Sequence, residues 1–169
     1  MRNGTYILLV LVVLVLQGLV LNNLAITPLV APMVYIVLLI FLPIESSQWK
    51  MLGAGLLLGV IMDLMMGTVG LNTLTTLPIA YFRHLILFSS AGLSSMSNEE
   101  GVPTPKRLGL RFHRYVVTVV VLHSLLFYSL EWLSFSNLGV LALRIVCSTA
   151  VSLILDYTLI LLFSKRLSA

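Results

Sequence analysis

Five ionisable side chains, Asp63, Arg83, Glu131, Arg144 and Asp156, stand inside long apolar runs, and His84 and His123 share those runs. A charge at the centre of a membrane helix costs at least about 2.5–3.5 kcal/mol on insertion scales, so such groups face a partner or a cavity. Two kinds of chemistry fit them. They could pass a proton or an ion between them, or they could lock helices together by mutual neutralisation and hydrogen bonding. A relay wants acids strung through the midplane, whereas these acids are largely balanced by arginines, which favours the lock.

Spacing says which faces they occupy. Arg144, Ser148, Ser152 and Asp156 recur every four residues and draw one polar stripe along a helix. Gly55, Gly59, Asp63 and Gly67 share the same step, and small residues so spaced let helix backbones approach closely in lipid. His123 and Glu131, two such steps apart, also share a face. Depth along the expected helices predicts an outer cluster of Arg144 with Asp63 or Glu131 and an inner Arg83–Asp156 pair.

Reaction chemistry finds little to work with. There is no H-E-x-x-H, no phosphate-cradling glycine loop and no nucleophile-plus-base set of the kind hydrolases show. The single cysteine, Cys147, lies in an apolar stretch, so neither an internal disulfide nor a thiolate metal cluster can form. No catalytic, cofactor-binding or metal-ligating residue is expected.

The elements that position the polar residues follow from composition. Of 169 residues, 59% are hydrophobic and 9% charged, and the mean hydropathy is +1.08. Soluble domains carry roughly 25% charged residues, so the bilayer is the expected solvent. A span needs roughly 20 apolar residues. Six helices are expected at about 4–21, 26–42, 51–66, 71–88, 115–133 and 139–163, forming one all-α polytopic domain over 1–169. The second is the least regular, with Pro28 and Pro32 in its opening turns and Pro43 closing it. Only the stretch 89–114 is hydrophilic at length, and it reads as a mobile loop whose basic end, Lys106, Arg107, Arg111 and Arg114, lies on the membrane surface. Trp49, Tyr115 and Trp132 fall near helix ends as interface anchors.

Six crossings with a cytoplasmic N-terminus place Arg2, Lys50, Lys106, Arg107, Arg111, Arg114, Lys165 and Arg166 inside and no basic residue in the outer loops. That obeys the positive-inside rule and puts both termini in the cytoplasm. The net charge of +4 is therefore a topology signal beside apolar runs, not a nucleic-acid surface.

The stretch Gly59-Val60-Ile61-Met62-Asp63-Leu64-Met65-Met66-Gly67-Thr68-Val69-Gly70-Leu71-Asn72 resembles the signature region of the MreD family of bacterial rod-shape-determining membrane proteins. That family carries G-x-x-x-D-x-x-x-G-x-x-G-L followed by an apolar helix reaching an arginine, here Arg83 in Ala80-Tyr81-Phe82-Arg83. Leu42-Pro43-Ile44-Glu45 and the segment from His123 to Glu131 are similar too, and the resemblance runs nearly end to end. It implies a non-catalytic scaffold or regulatory subunit of the cell-elongation complex in the bacterial cytoplasmic membrane. Its implied partners are an MreC-type protein, a RodA-type glycosyltransferase, a class B penicillin-binding protein and MreB filaments, in support of peptidoglycan synthesis. It also implies a fold similar to the substrate-binding subunits of vitamin importers. That fold keeps a small-molecule-binding transporter subunit as the competing expectation, with a pocket lined by Asp63, Arg144 and Glu131.

Overall fold

The structure, a computed structural model, describes residues 2–21, 30–91, 101–132 and 137–167. The described residues are helical with no strands. Five helices are long: α1 (Arg2–Val15, continued by a π-helical stretch, Leu16–Leu21), α3 (Gln48–Met66), α4 (Leu71–Ala91), α6 (Leu110–Glu131) and α7 (Leu138–Leu167). Two are single turns: α2 (Val37–Ile40) and α5 (Pro105–Leu108).

Four segments, Gly4–Leu21, Gln48–Met66, Leu110–Glu131 and Leu138–Lys165, are long and apolar enough to cross a membrane. α4 is as long but carries Asn72, Thr73, Thr75, Thr76, Pro78, Arg83 and His84. Bulky apolar side chains point outward from all five long helices, among them Leu11, Leu57, Leu64, Leu85, Leu125, Ile154 and Leu161, each about half exposed or more. An aqueous protein does not leave so much apolar surface open, and the chain has the build of an integral membrane protein.

The long helices form a ring. α3 packs on α4, α4 on α6, α6 on α7, α7 on α1, and the π-helical end of α1 returns to α3. α3 and α4 make an antiparallel hairpin whose close approach the glycine stripe permits. A Cβ on Gly59 would lie 2.5 Å from the Thr73 Cα, and one on Gly55 2.6 Å from the Ala80 Cβ. Gly67 ends α3 with φ +67°, the left-handed conformation of a helix stop. The stripe therefore serves contact within the chain.

The second expected helix is the largest departure. Between residues 30 and 42 only Val37–Ile40 are helical, although every residue from Met33 to Phe41 is nearly or wholly inaccessible. Pro32 and Pro43 bracket the segment, and proline lacks the N–H that a helix interior needs. This strap runs back through the middle of the ring. Gly18, near the end of α1, abuts Met65, near the end of α3, so the two helices are parallel and the chain between them must return the length of the bundle. The expected helix start around Ile26 and Pro28 lies outside the described residues, as do the 92–100 part of the long loop and Leu133.

The hydrophilic stretch is also more structured than expected. α4 runs on to Ala91, and α6 begins at Leu110 rather than Tyr115, so Arg111 and Arg114 stand on helix, with Lys106 and Arg107 on the single turn α5. Residues 101–104 are buried. Gly101 bridges to the strap's exit: Ile44 N donates to its carbonyl at 2.9 Å, and its N–H donates to Glu45 Oε2 at 2.6 Å.

Candidate functional site: polar clamps on a buried strap

A non-helical backbone inside a bilayer must find hydrogen-bond partners within the protein, because lipid offers none. The strap finds them on side chains of the ring. From α1, the Gln17 amide acts as a neighbouring strand would: Nε2 donates to Pro32 O at 3.2 Å, and Oε1 accepts from Val34 N at 2.7 Å. The π-helical stretch begins one residue earlier, and Gln17 and Gly18 are its buried residues.

From α7, Ser148 Oγ accepts from Ala31 N at 3.2 Å and Ser152 Oγ from Met33 N at 2.9 Å. The two chains are commensurate. Four helical residues rise about 6 Å, and two extended residues rise about 6.6 Å, so Ser148 and Ser152, four apart on α7, match the N–H groups of Ala31 and Met33, two apart on the strap. The Tyr128 hydroxyl donates to Ala31 O, and Tyr6 OH donates to Leu38 O at 3.1 Å.

Arg83 closes the other end. Its side chain is 1% exposed and forks onto carbonyls at the end of α2 and just beyond it: Nη2 donates to Ile40 O at 3.3 Å and to Leu42 O, and Nη1 to Pro43 O at 3.4 Å. Nη1 also meets Met51 Sδ at 3.2 Å, and Nε donates to Tyr115 OH at 2.9 Å. A cation at carbonyls of a helix end is favourable. The expected Arg83–Asp156 pair is therefore not formed. α6 stands between α4 and α7 in the ring, and Arg83 is occupied by the strap. Tyr115, expected as an interface anchor, is buried as Arg83's acceptor.

At the centre of the strap, Tyr35 OH donates to Asn72 Oδ1 at 2.9 Å, lies 2.8 Å from His123 Nε2, and receives Thr76 Oγ1 at 3.5 Å. A hydroxyl has one proton to give, and here Asn72 takes it; His123 Nε2 then donates and its ring carries the proton on Nε2. The His123 ring stands edge-on to Tyr35, centroids 5.2 Å apart, and stacks on Phe127.

Asp63 is solvated by protein on both oxygens. Oδ1 accepts from Thr68 Oγ1 (2.5 Å), Asn72 N (2.8 Å) and Asn72 Nδ2 (3.1 Å), and Oδ2 from Thr73 N (3.0 Å) and Thr73 Oγ1 (2.6 Å). The carboxylate thus caps the start of α4 from the preceding helix, where free N–H groups and the helix dipole welcome an anion. The stretch that resembles the MreD signature is, physically, a hairpin lock: glycines for approach and turning, an aspartate for the cap.

Arg144 and Glu131 join α7 to α6 through Nη2, 3.1 Å from each carboxylate oxygen, as the outer cluster anticipated; Asp63 is not in it. Neither the cavity between α1, the strap and α3 nor the groove between α4 and α6 is lined by Asp63, Arg144 or Glu131. Asp156 continues the α7 stripe below Ser152, fully buried, and neither of its oxygens has a hydrogen-bond partner among the described residues. No group of three or more histidine, cysteine, aspartate or glutamate side chains that could hold a metal is found among the described residues. Lys106, Arg107, Arg111 and Arg114 are exposed at one end of the bundle.

Sequence reasoning missed Gln17, Tyr35 and Asn72 as site residues. Gln17 had a signal: it is the one amide in an otherwise aliphatic run from Ile7 to Leu21. No protein-family model, curated protein or solved structure matches the chain.

Proposed function

We propose that the chain is a non-catalytic membrane scaffold of the bacterial cell-elongation complex, of the MreD kind, that holds an MreC-type partner against its helices and supports peptidoglycan synthesis. One observation supports this reading: most of the buried polar side chains spend their hydrogen bonds on the chain's own backbone or on one another, the exceptions among the described residues being Asp156, the hydroxyls of Thr104 and Thr149, and Arg144 Nε. Gln17, Ser148, Ser152, Tyr128 and Arg83 hold the strap, and Asp63 holds a helix start. Groups so committed make a rigid surface for partners and leave few free for a reaction. The hairpin lock and Arg83 are also the residues on which the MreD resemblance rests. The strap serves as the sixth crossing, which returns both termini to the cytoplasmic side of the bacterial inner membrane.

Depletion in a rod-shaped host should give round cells, and affinity purification from solubilised membranes should recover an MreC-type protein. Normal shape after clean deletion, with no such partner recovered, overturns the reading.

The competing reading, a small-molecule-binding transporter subunit, draws on an apolar cavity of about 200 Å³ between α1, the strap and α3, lined in part by Tyr6, Val10, Leu38, Ala54 and Leu58. Binding pockets for small molecules run from about 300 to 1,000 Å³ and place a few polar groups on the ligand, so this cavity is small and nearly without them. Native mass spectrometry that finds a stoichiometric small molecule would favour the transporter reading over the scaffold.

A further inference from the structure

A groove of about 530 Å³ opens between the C-terminal end of α4 and the N-terminal end of α6, lined by Ser89, Ser90, His113, Arg114, Val117 and Thr118. Its mouth is basic and its floor apolar. Arg111 and Arg114 rise from the first turns of α6, with Lys106 and Arg107 one turn earlier. The one ion pair found among the described residues is Arg144–Glu131, so Arg114 meets no carboxylate there.

Two ridges carry the groove away from the charged end. On α6, Arg114, Val117, Thr118 and Val121 share one face by their spacing, and Val117 and Val121 are about 40% exposed. On α4, Phe82, Leu85 and Ser89 do the same, with Phe82 and Leu85 half exposed or more. The mouth therefore leads onto exposed apolar surface.

The donors are arranged for one anion. Ser89 and Ser90 both donate their hydroxyls back to Ile86 O, at 3.0 and 2.7 Å, which leaves Arg114 as the principal donor. His113 is held from behind by Tyr157: the rings stack with centroids 5.5 Å apart, and Nδ1 lies 3.2 Å from the phenol oxygen. A ring nitrogen that accepts from the phenol leaves the other to donate.

We propose that this groove seats the phosphate of an anionic glycerophospholipid on Arg114, with His113 beside it and the acyl chains running down the Val117 and Leu85 ridges. Charge complementarity selects the anionic headgroup, and basic pockets between helices at a membrane surface suit such ligands. The exposed apolar ridges that run on from the groove select a lipid over a free anion.

The test uses the full-length protein equilibrated with nanodiscs of equal phosphatidylglycerol and phosphatidylcholine and read by native mass spectrometry. Wild type should retain phosphatidylglycerol several-fold over phosphatidylcholine. Arg114→Gln should bring the ratio to parity, and so should Val117→Trp, which fills the groove and leaves every charge in place. Lys50→Gln, which removes a basic residue outside the groove, should keep the preference. The proposal fails if wild type shows no preference or if Lys50→Gln loses as much as Arg114→Gln, since diffuse charge then suffices. It also fails if inorganic phosphate displaces the lipid at equal concentration, which would make the site one for a soluble anion. Because Val117 is exposed, its variant gives an answer even where the arginine variant does not fold.

Discussion

Asp63 accepts two backbone N–H groups and three side-chain donors within the α3–α4 hairpin. Losing a helix cap costs about 0.5–2 kcal/mol, and each buried donor left without an acceptor costs about 1–3 kcal/mol. Asp63→Ala should therefore destabilise the protein by about 2–4 kcal/mol in a detergent unfolding titration, with Asp63→Asn losing less because its amide oxygen still caps. Equal loss in the two variants would show that the cap is not what matters. Asp156 is the reverse case. A buried carboxyl group without partners is a liability that an apolar residue relieves, so Asp156→Leu should raise the unfolding temperature by several degrees; a fall would reveal a partner outside the described residues. At this scale the sequence exposed which residues are polar and out of place, and it paired Arg144 with Glu131 as one of two options. It missed Arg83's partners because depth arguments match acids with bases, while Arg83 is satisfied by main-chain carbonyls where the strap's helical turn ends. Backbone acceptors have no letter in a sequence.

Among the elements, the long helices were legible from apolar length, and the ends of the third and fourth fell within about three residues of their expected positions. The strap was not. Pro28, Pro32 and Pro43 marked it as irregular, yet irregular backbone in a membrane is possible only where other helices supply hydrogen bonds, and those suppliers sit far off in sequence at Gln17, Arg83 and Ser148. The four-residue stripe on α7 was visible; its meaning was not, because it answers a two-residue repeat in a segment read as helix. The start of α6 was placed late because Arg111 and Arg114 look like loop, although charged residues extend a helix readily where it leaves the membrane.

For the whole molecule, α1 and α3 run parallel, and the proposed topology counts the strap between them as a pass so that both termini lie on one side, as the charge distribution would have it. Cysteines introduced near either end, in a Cys147→Ala background, should resist a membrane-impermeant maleimide in intact cells and react once the membrane is opened. Labelling of one end alone in intact cells would contradict the return of the strap.

Ring side chains stand in for the hydrogen bonds of a missing helix. Hydrogen exchange of the protein in nanodiscs, read over residues 31–41, tests it most directly. Protection should be comparable to the core of α3 and be lost locally in Gln17→Leu and in the Ser148→Ala/Ser152→Ala double variant while α3 and α4 stay protected. Fast exchange across 31–41 in the wild type, or protection untouched by those substitutions, would contradict it.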